Sequence, residues 1–125
     1  MYSVALRHEL VAYHHLPIEG PEASRHSHSY LVEVTFRGPE LDRNGFLLDI
    51  CQLERRLEAV LSTMQGRTLN ELDPFEDQVP TLENLCRVLW GLLASALDAR
   101  GLEDMTVTVW ESERACASYT SRFSR

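Results

Sequence analysis

At 125 residues the chain is sized for a single domain, expected to span 1–125, with enough apolar material to bury a core of its own. Its composition, 44% hydrophobic and 25% charged, is that of an ordinary soluble globular protein. A net charge of −7, with no Lys/Arg-rich run, argues against nucleic acid or an anionic membrane as partner, since both call for clustered positive charge.

In chain order, residues 2–16 mix apolar, β-branched and aromatic residues without breakers and predict a long strand. Two prolines and a glycine make 17–25 a loop. Residues 26–38 alternate, placing His28, Tyr30, Val32, Val34 and Phe36 on one face of a second strand. Asn44-Gly45 marks a tight turn. Asp49 and Gln52 form a capping-box pattern that starts a helix carrying Ile50, Leu53, Leu57, Val60 and Met64. Residues 65–80, polar and broken by Pro74 and Pro80, read as a structured loop. Thr81 caps a second helix with Leu82, Leu85, Leu89, Leu92, Leu93 and Ala96 on its apolar face, ended by Gly101. Residues 105–111 and 115–123 predict two further strands paired as a hairpin. The order β-β-α-α-β-β implies an α+β fold: a four-stranded antiparallel sheet with both helices on one face. Such a sheet leaves two edges, which assembly of subunits into a closed β-barrel would cover.

No apolar run is long enough to span a bilayer, and MYSVALRHEL does not read as a signal peptide, so a cytoplasmic location is expected. Cys51, Cys86 and Cys116 then read as reduced thiols, the first two as core filler.

All five histidines precede residue 29. His26 and His28, two apart on a strand, project from one face. His14 or His15, at the end of the neighbouring strand, completes a set of three. Three imidazoles with an open position form a catalytic zinc geometry, which iron or nickel also fits. His8 lies too far along its strand to join them and reads as structural.

Five short motifs in order carry a resemblance over nearly the whole chain. Leu10-Val11-Ala12-Tyr13-His14-His15-Leu16 is similar to a strand end F-x-A-A-H-x-L, and His26-Ser27-His28-Ser29-Tyr30 to H-G-H-x-Y. Gly45-Phe46-Leu47-Leu48-Asp49-Ile50 matches G-x-x-x-D-F, and Pro80-Thr81-Leu82-Glu83-Asn84 is P-T-x-E-N intact. Glu111-Ser112 and Tyr119 fit the closing strands. The chain thus resembles the 6-pyruvoyltetrahydropterin synthase family, which includes the queuosine-type 6-carboxytetrahydropterin synthases. The resemblance implies the tunnelling fold, a homo-oligomer built as a trimer or a dimer of trimers, and a pterin ligand. It also implies Zn2+ held by His14, His26 and His28, a pterin anchor at Glu111 and a pocket residue at Thr81. An anchoring carboxylate makes chemical sense, since it accepts two charge-assisted hydrogen bonds from a pterin's amino and ring N–H groups.

The chain departs from the family in two places. Where the queuosine-type enzymes carry a catalytic cysteine, counting back four from His26 gives Glu22. The family's Asp-His pair, just before a Leu-Asn, is replaced by Gln65-Gly66 ahead of Leu69-Asn70. A carboxylate can act as base in place of a thiolate, which makes Glu22 the candidate. Three readings follow: a pterin lyase using Glu22, a degenerate homologue that binds a pterin without turnover, or a distinct reaction on a related substrate with Gln65 or another loop residue in a new role.

Overall fold

The computed structural model describes residues 1–124. Strands β1 (Tyr2–His14) and β2 (His26–Gly38) are followed by helices α1 (Ile50–Ser62) and α2 (Leu82–Ala96), then strands β3 (Asp104–Trp110) and β4 (Cys116–Arg122). Short 3-10 turns at Pro21–Ala23, Leu69–Glu71 and Asp73–Phe75 shape the loops between them. The strands form one sheet in the order β1-β2-β3-β4, every neighbouring pair antiparallel, so the expected α+β order holds.

Strand alternation builds the core. Leu10 and Ala12 of β1, Tyr30, Val32, Val34 and Phe36 of β2, and Met105, Val107 and Val109 of β3 all bury on one face. Leu53, Leu57 and Leu61 of α1 and Leu85, Leu89 and Leu93 of α2 cover that face. The opposite face is rich in serine, threonine and charge. Both helices start as the caps predict: Asp49 accepts from the amide of Gln52, and the Thr81 hydroxyl from that of Asn84. Gly45, at φ +87°, provides the left-handed residue of its turn.

Four expectations are corrected. The first strand ends at His14 rather than Leu16, and α2 ends at Ala96 rather than at Gly101. Ile50 is 47% exposed, and Cys51 is exposed rather than core filler. Cys51 lies two residues from Leu53, about 200° around the helix, and so faces away from the buried row. Cys86 is buried as expected, and burial pushes its thiol up to about 11, so it stays protonated. Among the described residues no helix is long and apolar enough to cross a membrane.

Candidate metal centre

The antiparallel register of β1 and β2 pairs His14 with His26 and Ala12 with His28. All three histidines sit at even positions of strands whose even positions face the helices, so their rings meet at one end of the core. Ring centroids lie 4.5 Å apart for His14–His26, 5.0 Å for His14–His28 and 4.9 Å for His26–His28. Glu22 arrives from the connecting loop, which closes on itself where the Leu16 amide donates to the Glu22 carbonyl at 2.8 Å. Its Oε2 stands 2.9 Å from His26 Nε2 and 3.9 Å from His14 Nε2. One ligand atom from each of the four residues falls within 4.8 Å of all the others.

Hydrogen bonds on the far side of two rings set their tautomers. His14 Nδ1 lies 2.9 Å from the Pro80 carbonyl and His26 Nδ1 2.7 Å from that of Ser24. A carbonyl only accepts, so each ring donates from Nδ1, and a neutral ring then carries its lone pair on Nε2. The Nε2 atoms of His14, His26 and His28 are all buried, and none has a hydrogen-bond partner. One such orphan costs about 1–3 kcal/mol, and three converging on a carboxylate need a common cause. A bound cation supplies one. Burial pushes the His14 pKa below its usual value; the Pro80 carbonyl opposes this, the His26 and His28 charges reinforce it, and Glu22 opposes it again. The net effect keeps the ring neutral, the form a metal requires.

Neighbouring segments hold the end of β1 in place. The Asn70 side chain grips the backbone of His15 both ways, its oxygen accepting from the amide and its nitrogen donating to the carbonyl, each at 3.0 Å. The Gly66 amide donates to the Val11 carbonyl, the Tyr13 amide to the Arg67 carbonyl, and the Val11 amide to the Gln65 side chain. Residues 65–70 thus run along the edge of β1 beside the site. Arg25 lies over the Tyr13 ring and donates to the Thr68 hydroxyl, tying the loop's far end to the same segment. Tyr30, beneath the histidines, has its hydroxyl 3.5 Å from His14 Nδ1. Burial, then the charges of Glu111 and Glu22, raise its pKa, so it remains a phenol.

The structure therefore brings His14, Glu22, His26 and His28 together and leaves His15 exposed on the other side of the strand. Thr81 is one residue from the Pro80 carbonyl that holds His14. Glu111, just past β3, is exposed at the margin, near enough for its charge to act on Tyr30. Sequence reasoning missed the Pro80 carbonyl, and it met Asn70 and Asn84 only as motif residues without the bonds they make; the Asn84 side chain donates to the Val79 carbonyl and so fixes the turn into α2.

Comparison with known proteins bears on this architecture. The family model for 6-pyruvoyl tetrahydropterin synthase matches residues 3–122. A 6-pyruvoyl tetrahydrobiopterin synthase from Drosophila melanogaster is 34% identical over 67 residues, 52% of this chain and 40% of that protein. One from Poecilia reticulata is 36% identical over 76 residues, 59% of this chain and 52% of that protein. The chain thus matches about half or less of the length of these curated relatives. Among solved structures, the 6-pyruvoyl tetrahydropterin synthase of Caenorhabditis elegans superposes with a TM-score of 0.84 at 24% identity, over 96% of this chain and 95% of that one. A Plasmodium vivax 6-pyruvoyltetrahydropterin synthase whose catalytic glutamate is replaced by alanine gives 0.77 at 17% identity, over 98% and 99%. Both share the fold.

Proposed function

This chain belongs to the 6-pyruvoyl tetrahydropterin synthase family, and from that premise we propose that it is a zinc-dependent lyase acting on the side chain of dihydroneopterin triphosphate or a related pterin. The observation that carries this reading is the meeting of three buried, unpartnered imidazole nitrogens with the Glu22 carboxylate. His14, His26 and His28 suit zinc, since imidazole is among its ordinary ligands and three of them leave a position for substrate. Zinc held there would polarise a side-chain oxygen and acidify the neighbouring C–H and O–H protons.

Glu22 is the candidate base: its carboxylate stands beside that position and is 44% exposed, so a proton it takes can pass to water. The residue named as catalytic in the Plasmodium vivax protein of the same fold is also a glutamate. Glu111 anchors the pterin by accepting from its amino and ring N–H groups, and Thr81 lines the pocket beside it. Tyr30, kept protonated, stands behind the metal ligands. The product would be a 6-substituted pterin of folate or queuosine biosynthesis, formed in the cytoplasm by a trimer or a pair of stacked trimers.

One observation favours a second reading, a homologue that binds a pterin without turnover. Gln65 spends its side chain on the β1 edge, and Gly66, at φ +71°, sits where a side chain would be strained, so neither supplies a proton shuttle. Turnover of 7,8-dihydroneopterin triphosphate by the zinc-loaded protein, with products identified, separates the two. A 6-substituted pterin product, lost in Glu22→Ala, is expected. Pterin binding without any product would overturn the lyase reading.

A further inference from the structure

We infer that Glu22 is a fourth ligand of the metal in the resting protein, and that it leaves to admit a substrate hydroxyl. One side chain then closes the site at rest and, once released, stands free as the base. The inference rests on reading the histidine cluster as a metal centre.

Distance is the first ground. Around a tetrahedral zinc with bonds of about 2.0–2.1 Å, ligand atoms lie about 3.3–3.4 Å from one another. Glu22 Oε2 stands 2.9 Å from His26 Nε2 and 3.9 Å from His14 Nε2, either side of that value, and all four ligand atoms, His28 included, lie within 4.8 Å of one another. A carboxylate in this position leaves no room for a substrate oxygen in a four-coordinate site.

Alignment is the second. The 2.9 Å approach of Glu22 to His26 Nε2 is not made as a hydrogen bond, and that nitrogen remains without a partner. An imidazolium–carboxylate pair at this distance would place the oxygen along the N–H axis. Two ligands of one ion approach each other off axis, because both lone pairs aim at the ion between them.

Exposure is the third. The His14 side chain is 4% exposed and that of His26 24%, whereas Glu22 is 44% exposed. The imidazoles close the site from the protein side, and the carboxylate covers it on the side open to solvent. The Leu16–Glu22 backbone bond pins the loop, so release needs only rotation of the Glu22 side chain.

Cobalt(II) substitution tests this, because the visible d–d bands respond to the ligand set without any turnover. Cobalt-loaded wild type and Glu22→Ala are compared without substrate, together with their cobalt affinities. The bands are expected to differ, and the affinity of the variant to fall at least about tenfold, the lower end of the loss seen even for partners outside the ligand set. Adding dihydroneopterin is expected to move the wild-type bands onto those of Glu22→Ala with the same ligand. Matching spectra without substrate, whatever the affinities, would place Glu22 outside the ligand set and overturn the inference, while leaving the metal centre intact. A wild-type protein that takes up no cobalt would overturn both.

Discussion

Glu111 and Glu22 are both acids at the edge of the same site, yet they are assigned opposite duties: one holds the pterin ring, the other works on its side chain. Replacing Glu111 with glutamine keeps shape and removes charge. A hydrogen bond to a charged group contributes about 1.5–3 kcal/mol, so Glu111→Gln is expected to weaken pterin binding about ten- to a hundredfold. Fluorescence titration of a pterin against the metal-loaded protein measures this, and an unchanged affinity would remove Glu111 from the pocket. Of the histidines, the His26–His28 pair was legible because a two-residue spacing on a strand has one structural meaning. The choice between His14 and His15 was not legible from spacing, since adjacent residues on a strand face opposite ways. What separates them is the parity of Leu10 and Ala12, which the core claims. The approach of Glu22 to the imidazoles was hidden, because it depends on a loop closed by a backbone bond. The Pro80 carbonyl was equally hidden, since a main-chain acceptor has no letter of its own.

At the scale of elements, strand order and helix starts were readable because alternation and caps are local signals. The apolar row of α1 was only partly readable. Its pattern fits both a row through Ile50 and the observed row Leu53, Leu57 and Leu61, and only packing against the sheet and α2 chooses between them. The join between β2 and β3 carries a testable electrostatic link. Asp104, 4% exposed, accepts from Arg37 at both oxygens, with Nε–Oδ1 at 2.9 Å. That bonding, and behind it the Arg37 and Arg122 charges, hold the Asp104 carboxyl below its usual 3.8 against the cost of burial. A lowered folded-state pKa means that the unfolded chain takes up the proton first on acidification. The stabilisation is therefore complete above pH 3.8 and is lost as pH falls through the lowered value. Asp104→Asn is expected to cost about 1 kcal/mol at neutral pH, discounted because Arg37 is half exposed, and to flatten the loss of stability below pH 3.8. Urea denaturation at neutral and acid pH checks both; equal acid sensitivity in variant and parent would show that the pair contributes nothing.

On the scale of the whole molecule, the sheet ends in two edges. Residues 65–70 cover the His14 end of β1, while β4 is the other outer strand. An open edge invites pairing with another chain. Glu111 lies exposed near the end of β3, where a neighbouring subunit could close the pocket over it. Light scattering on the eluting protein is expected to give three or six times the chain mass, and a monomer would contradict the proposed assembly. The two open edges pointed to association from the sequence, but the number of copies came only through a family resemblance, because an edge strand carries no letter that names its partner.

Every role proposed for the site depends on His14, His26 and His28 holding a metal ion. Elemental analysis of the chain, loaded with zinc and dialysed free of excess, tests it against a His26→Ala/His28→Ala double variant whose fold is verified by circular dichroism. About one zinc per chain is expected in the parent and under about a tenth of that in the variant, as a site that loses two of its imidazole ligands requires. A parent that retains no zinc, or a folded variant that retains it in full, would contradict it.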